Sequence, residues 1–353
     1  MDDMLARRWF TNDGPYVVEL ERRLEDHLGV RHCVTANSGS AAMLLAIRGL
    51  DLSGEVIVPS FTFVGTAHSV AWMGLKPVFC DIDRATWNID PTACEAAVTP
   101  NTSAILGVHL FGRGCNAAAL KRIATSHDLR LVFDAAHAFG CSLEGRRVGG
   151  FGDAEVFSFH ATKSFHTFEG GAVTTDDDVL ASKLRAFRSH GISDLDRTIG
   201  LGTNARMSEV CAAMGLANLD SYEATLKASH TVHQAYERGL EAVPGLDLRE
   251  SAINEESNWH YVVAEVEEAE CGLSRDSLIE VLRSNNVLAR RYFYPGCHAL
   301  EPYVTEQPDA GRLLPETERA AARSILFPAG SSMAPEDVDR VCALVRDLVG
   351  CSS

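Results

Sequence analysis

The chain has 353 residues, of which 46% are hydrophobic, and it carries a formal net charge of −16. This length allows a large core, in one big α/β domain with a smaller second domain or in two domains of similar size. The acidity disfavours nucleic-acid binding, because Lys and Arg must neutralise phosphates in such complexes.

Several other classes of protein are disfavoured because the sequence lacks their motifs. No apolar run reaches eighteen residues, so no membrane span is predicted, and residues 1–10 lack the apolar centre of a signal peptide. No dinucleotide fingerprint or P-loop occurs. The ten cysteines show no C-x-x-C and the histidines no H-E-x-x-H, so no metal site is predicted. We expect reduced thiols in a cytoplasmic protein.

Strands and helices alternate through the first half of the sequence. Apolar strand runs separated by helices indicate a mostly parallel sheet that is covered on both faces. Ligands in such folds bind beyond the carboxyl ends of the strands. The predicted strands cover 33–36, 55–58, 77–80, 104–109, 130–133, 155–159 and 172–175, and the predicted helices cover 16–28, 41–50, 64–73, 91–98 and 116–127.

The first of these strand–helix junctions is a turn of small residues. Residues 37–40, Asn-Ser-Gly-Ser, lie between the strand 33–36 and the helix 41–50. Free N–H groups and the helix dipole at such a turn favour an anion. Taken alone, an ordinary N-cap by Ser38 or Ser40 is the simpler interpretation.

Two later strands also end in residues of chemical interest. Asp134 comes directly after the apolar run 131–133, and a buried carboxylate at that position needs a partner. A structural ion pair or a cap explains it about as well as a cofactor does. Phe61 and Phe63 follow another strand, where either can be a core residue and one can cover a flat ring.

One lysine, Lys163, lies in a short connection between the last two predicted strands, and a Gly-Gly pair closes that connection. A lone lysine is usually a solvated surface charge. A lysine that does chemistry needs burial, which lowers its pKa, and a carbonyl partner, which is most often pyridoxal phosphate. That cofactor needs an acid for its pyridinium nitrogen, hydroxyl and amide groups for its phosphate, and an apolar side chain against its ring.

The pattern changes towards the C-terminus. A long helix over 208–243, after a helix over 176–190, ends before Pro244-Gly245. The remaining elements fit a smaller α+β domain. We therefore predict a large cofactor-binding domain over 1–245 and a small domain over 246–353. The elements of the small domain are a strand over 259–266, a helix over 274–285, a strand over 325–327 and a helix over 335–348.

Together these elements resemble the sugar aminotransferases of the DegT/DnrJ/EryC1/StrS family, from about Thr11 to Leu348. The resemblance implies fold type I of the pyridoxal-phosphate enzymes, with a mostly parallel seven-stranded sheet between helices, and a homodimer with shared active sites. It depends on Ser38-Gly39-Ser40-Ala41-Ala42, Pro59-Ser60-Phe61-Thr62-Phe63, Asp134-Ala135-Ala136-His137, Ser158-Phe159-His160 with Lys163, Glu169-Gly170-Gly171 and Asn204 to Glu209.

Carried over position by position, the resemblance implies roles for individual residues. Lys163 looks like the Schiff-base lysine, Asp134 like the partner of the pyridinium nitrogen, and Phe63 like the residue stacked on the ring. His137, at a position that is often Gln, is expected to contact the ring hydroxyl. The other expected contacts are Gly39, Ser40, Ala41, Ser158, His160 and, from the partner subunit, Asn204 for the cofactor, and Arg206, Arg290, Tyr292 and Tyr294 for the substrate.

Several of these contacts keep an alternative. Arg206 can instead form a surface salt bridge with Glu209. His160 can orient the lysine loop or line the sugar pocket. The aromatic and basic residues over 290–294 can serve in domain packing rather than in substrate binding.

The resemblance also implies an activity. Relatives with His in place of the lysine are sugar dehydratases, so Lys163 favours transamination. Pyridoxal 5′-phosphate, with pyridoxamine 5′-phosphate as its intermediate form, would then carry an amino group from L-glutamate to a nucleotide-linked keto sugar. A narrower resemblance, to enzymes that make dTDP-4-amino-4,6-dideoxyglucose from the 4-keto-6-deoxy sugar, rests on 133–140, 158–163 with 168–171, 202–204 and 290–298. The alternatives are amination at C-3, a dehydratase and a non-catalytic regulator.

Overall fold

The structure, a computed structural model, describes residues 1–249 and 255–350. Its strands are β1 (His32–Ala36), β2 (Glu55–Pro59), β3 (Lys76–Cys80), β4 (Thr102–Val108), β5 (Arg130–Asp134), β6 (Ser142–Leu143), β7 (Arg146–Arg147), β8 (Ala154–Ser158), β9 (Gly171–Thr175), β10 (Ile192–Asp194), β11 (Arg197–Thr198), β12 (Leu246–Leu248), β13 (Glu255–Glu256), β14 (Val262–Val266) and β15 (Ser324–Phe327).

The helices alternate with these strands through the first half of the chain. They are α1 (Asp2–Arg7), α2 (Pro15–Leu28), α3 (Gly39–Gly49), α4 (Val64–Trp72), α5 (Pro91–Ala96), α6 (Ala117–Ser126), α7 (Asp178–Phe187), α8 (Glu209–Leu240), α9 (Glu268–Cys271), α10 (Arg275–Ser284), α11 (Tyr303–Glu306), α12 (Pro315–Arg323) and α13 (Pro335–Val349). In the part of the chain that is described, no helix is both long enough and apolar enough to cross a bilayer.

A seven-stranded sheet in the order β1-β9-β8-β5-β4-β2-β3 forms the centre of the molecule. The neighbours from β3 to β8 pair in parallel, whereas β9 pairs antiparallel with both β8 and β1. The prediction of a mostly parallel sheet is therefore confirmed. Its strands are apolar runs because both faces of the sheet are covered.

Helices bury the two faces of this sheet in separate apolar clusters. On one face α3, α4 and α7 pack against β2, β4 and β8. On the other face α5 and α6 cover Ile57, Ile105 and Leu131. The strand ends that face the carboxyl edge, including Asp134 and Ser158, are left between the helix N-termini, where ligands bind in such folds.

The C-terminal part forms a three-stranded antiparallel sheet, β12-β14-β15. Its apolar residues pack with α10, α13 and the last turns of α8. Tyr303 and Leu314, which follow in the sequence, belong instead to the cluster against the large sheet. The division at 245/246 into two domains stays a prediction.

The predicted strand over 259–266 begins later than expected, at Val262. Trp259 has a left-handed backbone, with φ of 49°, and Asn258 Nδ2 donates hydrogen bonds to the carbonyls of His137 at 2.9 Å and Phe139 at 3.1 Å. A turn docked on the large sheet thus replaces the first part of the strand. Tyr261, after this turn, reaches the carboxyl edge of the sheet.

A buried acid and a buried imidazole face each other within the large sheet. Glu155 and His109 are both completely buried, with Glu155 Oε2 3.8 Å from His109 Nε2. The N–H groups of Phe151 and Gly152 donate to Glu155 Oε1, and His109 Nδ1 accepts from Cys115 N at 3.0 Å. Burial raises the pKa of Glu155 to about 7 and lowers the pKa of His109 to about 3.

We expect Glu155 to make stability depend on pH. The pKa of Glu155 in the folded protein lies above the ordinary value of 4.5. The stability that this residue contributes is therefore fully present below about pH 4.5 and is lost as the pH rises through about 7. Glu155→Gln should therefore raise the free energy of unfolding by about 3 kcal/mol at about pH 8 and change it little at about pH 5. Chemical unfolding of the apoprotein at the two pH values measures this. Equal shifts at both, as expected for the exposed Glu144→Gln control, would contradict it.

Candidate active site

A cavity of about 380 Å³ opens at the edge of the large sheet where its parallel strands end. Asp134 at the end of β5 and Ser158 at the end of β8 line it, together with Gly39 and Ser40 at the start of α3. Lys163, on the connection between β8 and β9, lines it as well. The topology thus brings together residues that were predicted from separate motifs.

The lysine lies on a loop that is folded onto itself. The N–H of Lys163 donates to the carbonyl of His160 at 2.9 Å. The N–H of Phe159 donates to Gly170 O at 2.8 Å, and the N–H of Thr167 donates to Phe159 O at 2.9 Å. These bonds close the loop at its base, so the backbone that carries the amine has a defined position.

The amine of Lys163 is buried beside an acid and a phenol. Nζ donates a hydrogen bond to Tyr261 Oη at 3.3 Å. Burial lowers the pKa of Lys163 from its usual 10.5 to about 8, while the negative charge of Asp134 opposes this change. The amine is therefore much closer to its neutral, nucleophilic form than an exposed lysine would be.

Neutral donors hold the carboxylate of Asp134. Thr66 Oγ1 donates to Oδ2 at 2.8 Å and the N–H of Ala136 donates to Oδ1 at 3.0 Å. Burial raises the pKa of Asp134, and these two hydrogen bonds and the charge of Lys163 work against that rise. Because the bonded groups are neutral, they orient the carboxylate and leave its charge available to a cation in the cavity.

Aromatic rings close one side of the cavity around His137. Its ring lies 4.4 Å from that of Tyr261 and 5.9 Å from that of Phe111, between centroids. His137 Nδ1 accepts from Phe111 N at 3.3 Å, which assigns the ring proton to Nε2. Burial, aided by the charge of Lys163, lowers the pKa of His137 well below 6.5. His137 is thus a neutral N–H donor, as a Gln at this position would be.

The structure distinguishes the two phenylalanines that follow β2. Phe61 is a core residue with 1% of its surface exposed, whereas Phe63 is 59% exposed and lines the cavity. A Cβ added to Gly65 would lie 2.8 Å from the Phe63 ring. The absence of a side chain at Gly65 therefore leaves room for the ring, and Phe63 is the residue free to cover a flat ligand.

Small residues form a cradle at the N-terminus of α3. Ser38 caps this helix, and its Oγ accepts from Ala41 N at 3.1 Å. A Cβ on Gly39 would lie 2.7 Å from Ser158 Cβ, so the helix start and the end of β8 approach closely. The first N–H groups of a helix have no intrahelical partner and attract anions. Gly39, Ser40 and Ser158 line the cavity, whereas the N–H of Ala41 is already bonded.

The mouth of the cavity carries polar residues. His160 Nε2 lies 3.5 Å from Glu169 Oε1, and His160 Nδ1 lies 2.8 Å from Thr162 Oγ1. All three residues line the cavity. Glu169 belongs to the Glu169-Gly170-Gly171 motif, yet local sequence pattern predicted no role for it, nor for Thr66 or Tyr261. The last two bond to residues 68 and 98 positions away in the chain, which local pattern does not reveal.

Two predicted residues, Asn204 and Arg206, lie near the start of α8 and do not line the cavity. The substrate contact expected of Arg206 stays a prediction. Asn204 is exposed, and its carbonyl accepts from Asn37 Nδ2 at 3.3 Å. Its expected action in the partner subunit stays a prediction. Glu209 is buried and accepts from the N–H groups of Tyr16 and Val17 at the start of α2, so the alternative of a surface salt bridge with Arg206 is wrong.

The residues predicted from 290–294 are divided between cavity and surface. Tyr292 lines the cavity. Arg290 is exposed and its backbone bridges to Leu326. Tyr294 lies between the guanidinium groups of Arg275 and Arg291, at 5.1 and 5.2 Å from its ring centroid. That position fits local packing, and substrate contacts by Arg290 and Tyr294 stay predictions.

Comparison with known proteins identifies the family. Residues 1–346 match the DegT/DnrJ/EryC1/StrS aminotransferase family. The chain belongs to this family. It is accordingly a pyridoxal-phosphate-dependent sugar aminotransferase of fold type I that acts on a nucleotide sugar.

Two relatives of similar identity are named for sugars that carry different nucleotides. The dTDP-4-amino-4,6-dideoxy-D-glucose transaminase of Shigella dysenteriae is 36% identical over 341 residues, which cover 96% of this aminotransferase and 92% of the relative. The GDP-perosamine synthase of Caulobacter vibrioides is 34% identical over 350 residues, with 97% and 92% covered. Different nucleotides therefore occur among relatives of similar identity.

Solved structures share the whole fold. DesI, crystallised in the presence of its TDP-sugar product, is 46% identical with a TM-score of 0.95, and the match covers 99% of this chain and 89% of that chain. A protein from Streptococcus pneumoniae, solved in a PLP form and a PMP form, is 26% identical with a TM-score of 0.91, and the match covers 99% of this chain and at least 93% of the other.

The cavity of this aminotransferase fits pyridoxal phosphate. Lys163 supplies an amine of lowered pKa, and Asp134 supplies a buried carboxylate whose bonded donors are neutral. Gly39 and Ser158 approach so closely that a Cβ on the glycine would collide, which leaves backbone amides and hydroxyls to face an anion. An amine, an acid and an anion cradle in one cavity are what this cofactor requires.

Proposed function

We propose that this aminotransferase moves the amino group of L-glutamate to C-4 of dTDP-4-keto-6-deoxyglucose, giving dTDP-4-amino-4,6-dideoxyglucose. The observation that carries the proposal is the similarity, over nearly the whole chain, to the Shigella transaminase whose name states this product. The likeness to DesI, which was crystallised with a TDP-sugar product, supports the same nucleotide.

A second candidate is the same reaction on a GDP-linked keto sugar. The GDP-perosamine synthase is nearly as similar as the dTDP-sugar enzyme, and this is the observation that favours it. Both candidates require Lys163, whose amine points into the cavity. Amination at C-3 would use the same groups with the sugar placed differently.

The catalytic work of the chain centres on Lys163 and Asp134. When bound, pyridoxal phosphate supplies an electron sink for the carbanion left at the amino donor. In the first half-reaction the neutral Nζ of Lys163 would take the proton from Cα of glutamate and pass it to the bound cofactor, which leaves the amine neutral again. In the second half-reaction Nζ would take a proton back from the cofactor and deliver it to C-4 of the sugar. Asp134 holds the ring nitrogen in its protonated state.

The remaining cavity residues bind and orient. Gly39, Ser40 and Ser158 receive the phosphate at the start of α3. His137 donates its Nε2–H to the ring hydroxyl, and because burial keeps its pKa far below 6.5 this donor is present at every physiological pH. Phe63 covers the ring and excludes water from it.

We propose a cytoplasmic homodimer as the active form. Asn204 and the aromatic residues Phe63 and Phe168, near the cavity, are exposed in the single chain, where a second subunit can cover them. The nine described cysteines are free thiols, which suits a reducing compartment. Sedimentation of the holoenzyme measures the subunit number.

A spectral titration tests the proposed reaction. The yellow holoenzyme should lose its colour with glutamate, release 2-oxoglutarate, and regain the colour with dTDP-4-keto-6-deoxyglucose. Proton NMR of the product should place nitrogen at C-4. Recovery of colour with a GDP-linked 4-keto sugar alone would favour the second candidate, and recovery with a 3-keto sugar alone would reject amination at C-4. A protein that never becomes yellow would reject the assignment of Lys163.

A further inference from the structure

Tyr261 makes the hydrogen bond that the structure gives to the amine of Lys163. Its Oη lies 3.3 Å from Nζ, and Nζ lies 6.0 Å from the centroid of its ring. The bond joins the start of β14, in the C-terminal part of the chain, to the lysine loop of the large sheet. Asn258, three residues earlier, fixes this segment by two hydrogen bonds to the carboxyl edge of that sheet.

The phenol is a permanently neutral partner. Burial raises the pKa of Tyr261 well above its usual value of 10, and nearby Tyr292 and Asp134 add to the rise. The ring of His137 packs at a tilt against the tyrosine ring, and His260 precedes the tyrosine in the chain. Burial lowers the pKa of both histidines. Apart from the charge of Asp134, the groups that face Nζ here are therefore uncharged at physiological pH.

We propose that Tyr261 is a positioning residue that holds the amine of Lys163 whenever this amine is not bonded to the cofactor. The inference rests on the role proposed above for Lys163. In transamination the lysine must leave the cofactor, act as a base close to it and bond to it again. The lysine side chain is flexible, so proton transfer is slower when its amine samples many positions. One hydrogen bond to a fixed ring restricts the amine to a single position.

The hydrogen bond between Lys163 and Tyr261 is expected to weaken cofactor capture. The bond to Tyr261 stabilises the free amine, so it competes with covalent capture of pyridoxal phosphate. Tyr261→Phe should therefore capture the cofactor about five-fold more tightly, as the loss of one hydrogen bond predicts. If Tyr261 served only to pack the cavity wall, its substitution would weaken cofactor capture instead.

The experiment uses the complete apoprotein and pyridoxal phosphate alone, without any sugar. Absorbance titrations across pH give the affinity and the pH midpoint of capture. We expect tighter capture by Tyr261→Phe and a midpoint moved to lower pH, because the phenol oxygen favours the protonated amine that donates to it. The half-reaction with glutamate should slow by about five- to ten-fold.

Tyr236→Phe is the matched control. Its hydroxyl is buried and also makes one hydrogen bond, to Pro328 O at 2.8 Å, in the C-terminal part of the chain. It should lose stability without changing capture. Unchanged or weakened capture by Tyr261→Phe with the wild-type midpoint would overturn the positioning role. Failure of the wild-type apoprotein to capture the cofactor would instead reject the role of Lys163.

Discussion

Replacing Lys163 by Ala is expected to lower the turnover of glutamate and keto sugar by at least about 10³-fold, because nucleophile and proton-transfer base are lost together. The structure supports both functions, since the amine lies in the cavity with its pKa lowered to about 8. Steady-state release of 2-oxoglutarate measures the loss.

The comparison with a surface lysine separates this effect from a general loss of charge. Lys183, whose Nζ pairs with Asp51 at 2.6 Å, gives a matched variant, Lys183→Ala, that should keep wild-type turnover. Reduction with borohydride should link the cofactor covalently to the wild type and to Lys183→Ala, but not to Lys163→Ala. Mass spectrometry detects the added mass. Wild-type turnover by Lys163→Ala would reject the assignment.

Replacing Asp134 by Asn should lower kcat by about 10²- to 10³-fold while cofactor affinity falls much less. Thr66 and Ala136 donate to different oxygens of Asp134, so Asn keeps an acceptor oxygen for only one of them. It also carries no charge to hold a protonated ring nitrogen. A lost ion pair of this kind shifts a pKa by one to several units, and each unit corresponds to a factor of ten. Stopped-flow measurement of the half-reaction with glutamate and equilibrium dialysis of the cofactor give the two values.

Thr66→Val is the graded comparison for this effect. It removes one neutral hydrogen bond from the same carboxylate and leaves the charge, so the half-reaction should slow by less than about ten-fold. If Thr66→Val slowed the reaction as much as Asp134→Asn, the orientation of the carboxylate rather than its charge would be decisive. An Asp134→Asn protein with a wild-type half-reaction would exclude the pyridinium role.

The sequence predicted the sheet, and it placed Asp134 at a strand end and Lys163 in the connection between two strands, because these features follow from local pattern. Apolar runs of strand length alternate with amphipathic helices, and parallel strands place their carboxyl ends at one edge. Residues that follow those runs, such as Asp134, were therefore expected at the edge of the sheet where ligands bind. The cradle at Gly39 was equally local, since a strand, a small-residue turn and a helix are consecutive.

Other features could not be predicted, because they depend on contacts between distant parts of the chain. Phe61 and Phe63 belong to the same motif, and only the packing of the core assigns Phe61 to the interior and Phe63 to the cavity. Glu209 lies in a predicted motif, yet it binds the start of α2, nearly two hundred positions earlier. The reversed direction of β9 likewise depends on pairing and not on composition.

By itself, then, the sequence determined the alternating order of strands and helices and the positions of Lys163 and Asp134 relative to the strands, since secondary structure and motif spacing are short-range properties. The catalytic roles expected of these two residues came from the family resemblance and stay predictions. Only the tertiary structure decided the environment of those residues. Burial that lowers the pKa of Lys163, neutral donors on Asp134 and the phenol of Tyr261 all come from elements far apart in the chain. The physical reason is that desolvation and hydrogen bonding depend on neighbours in space, which the packing of the chain brings together.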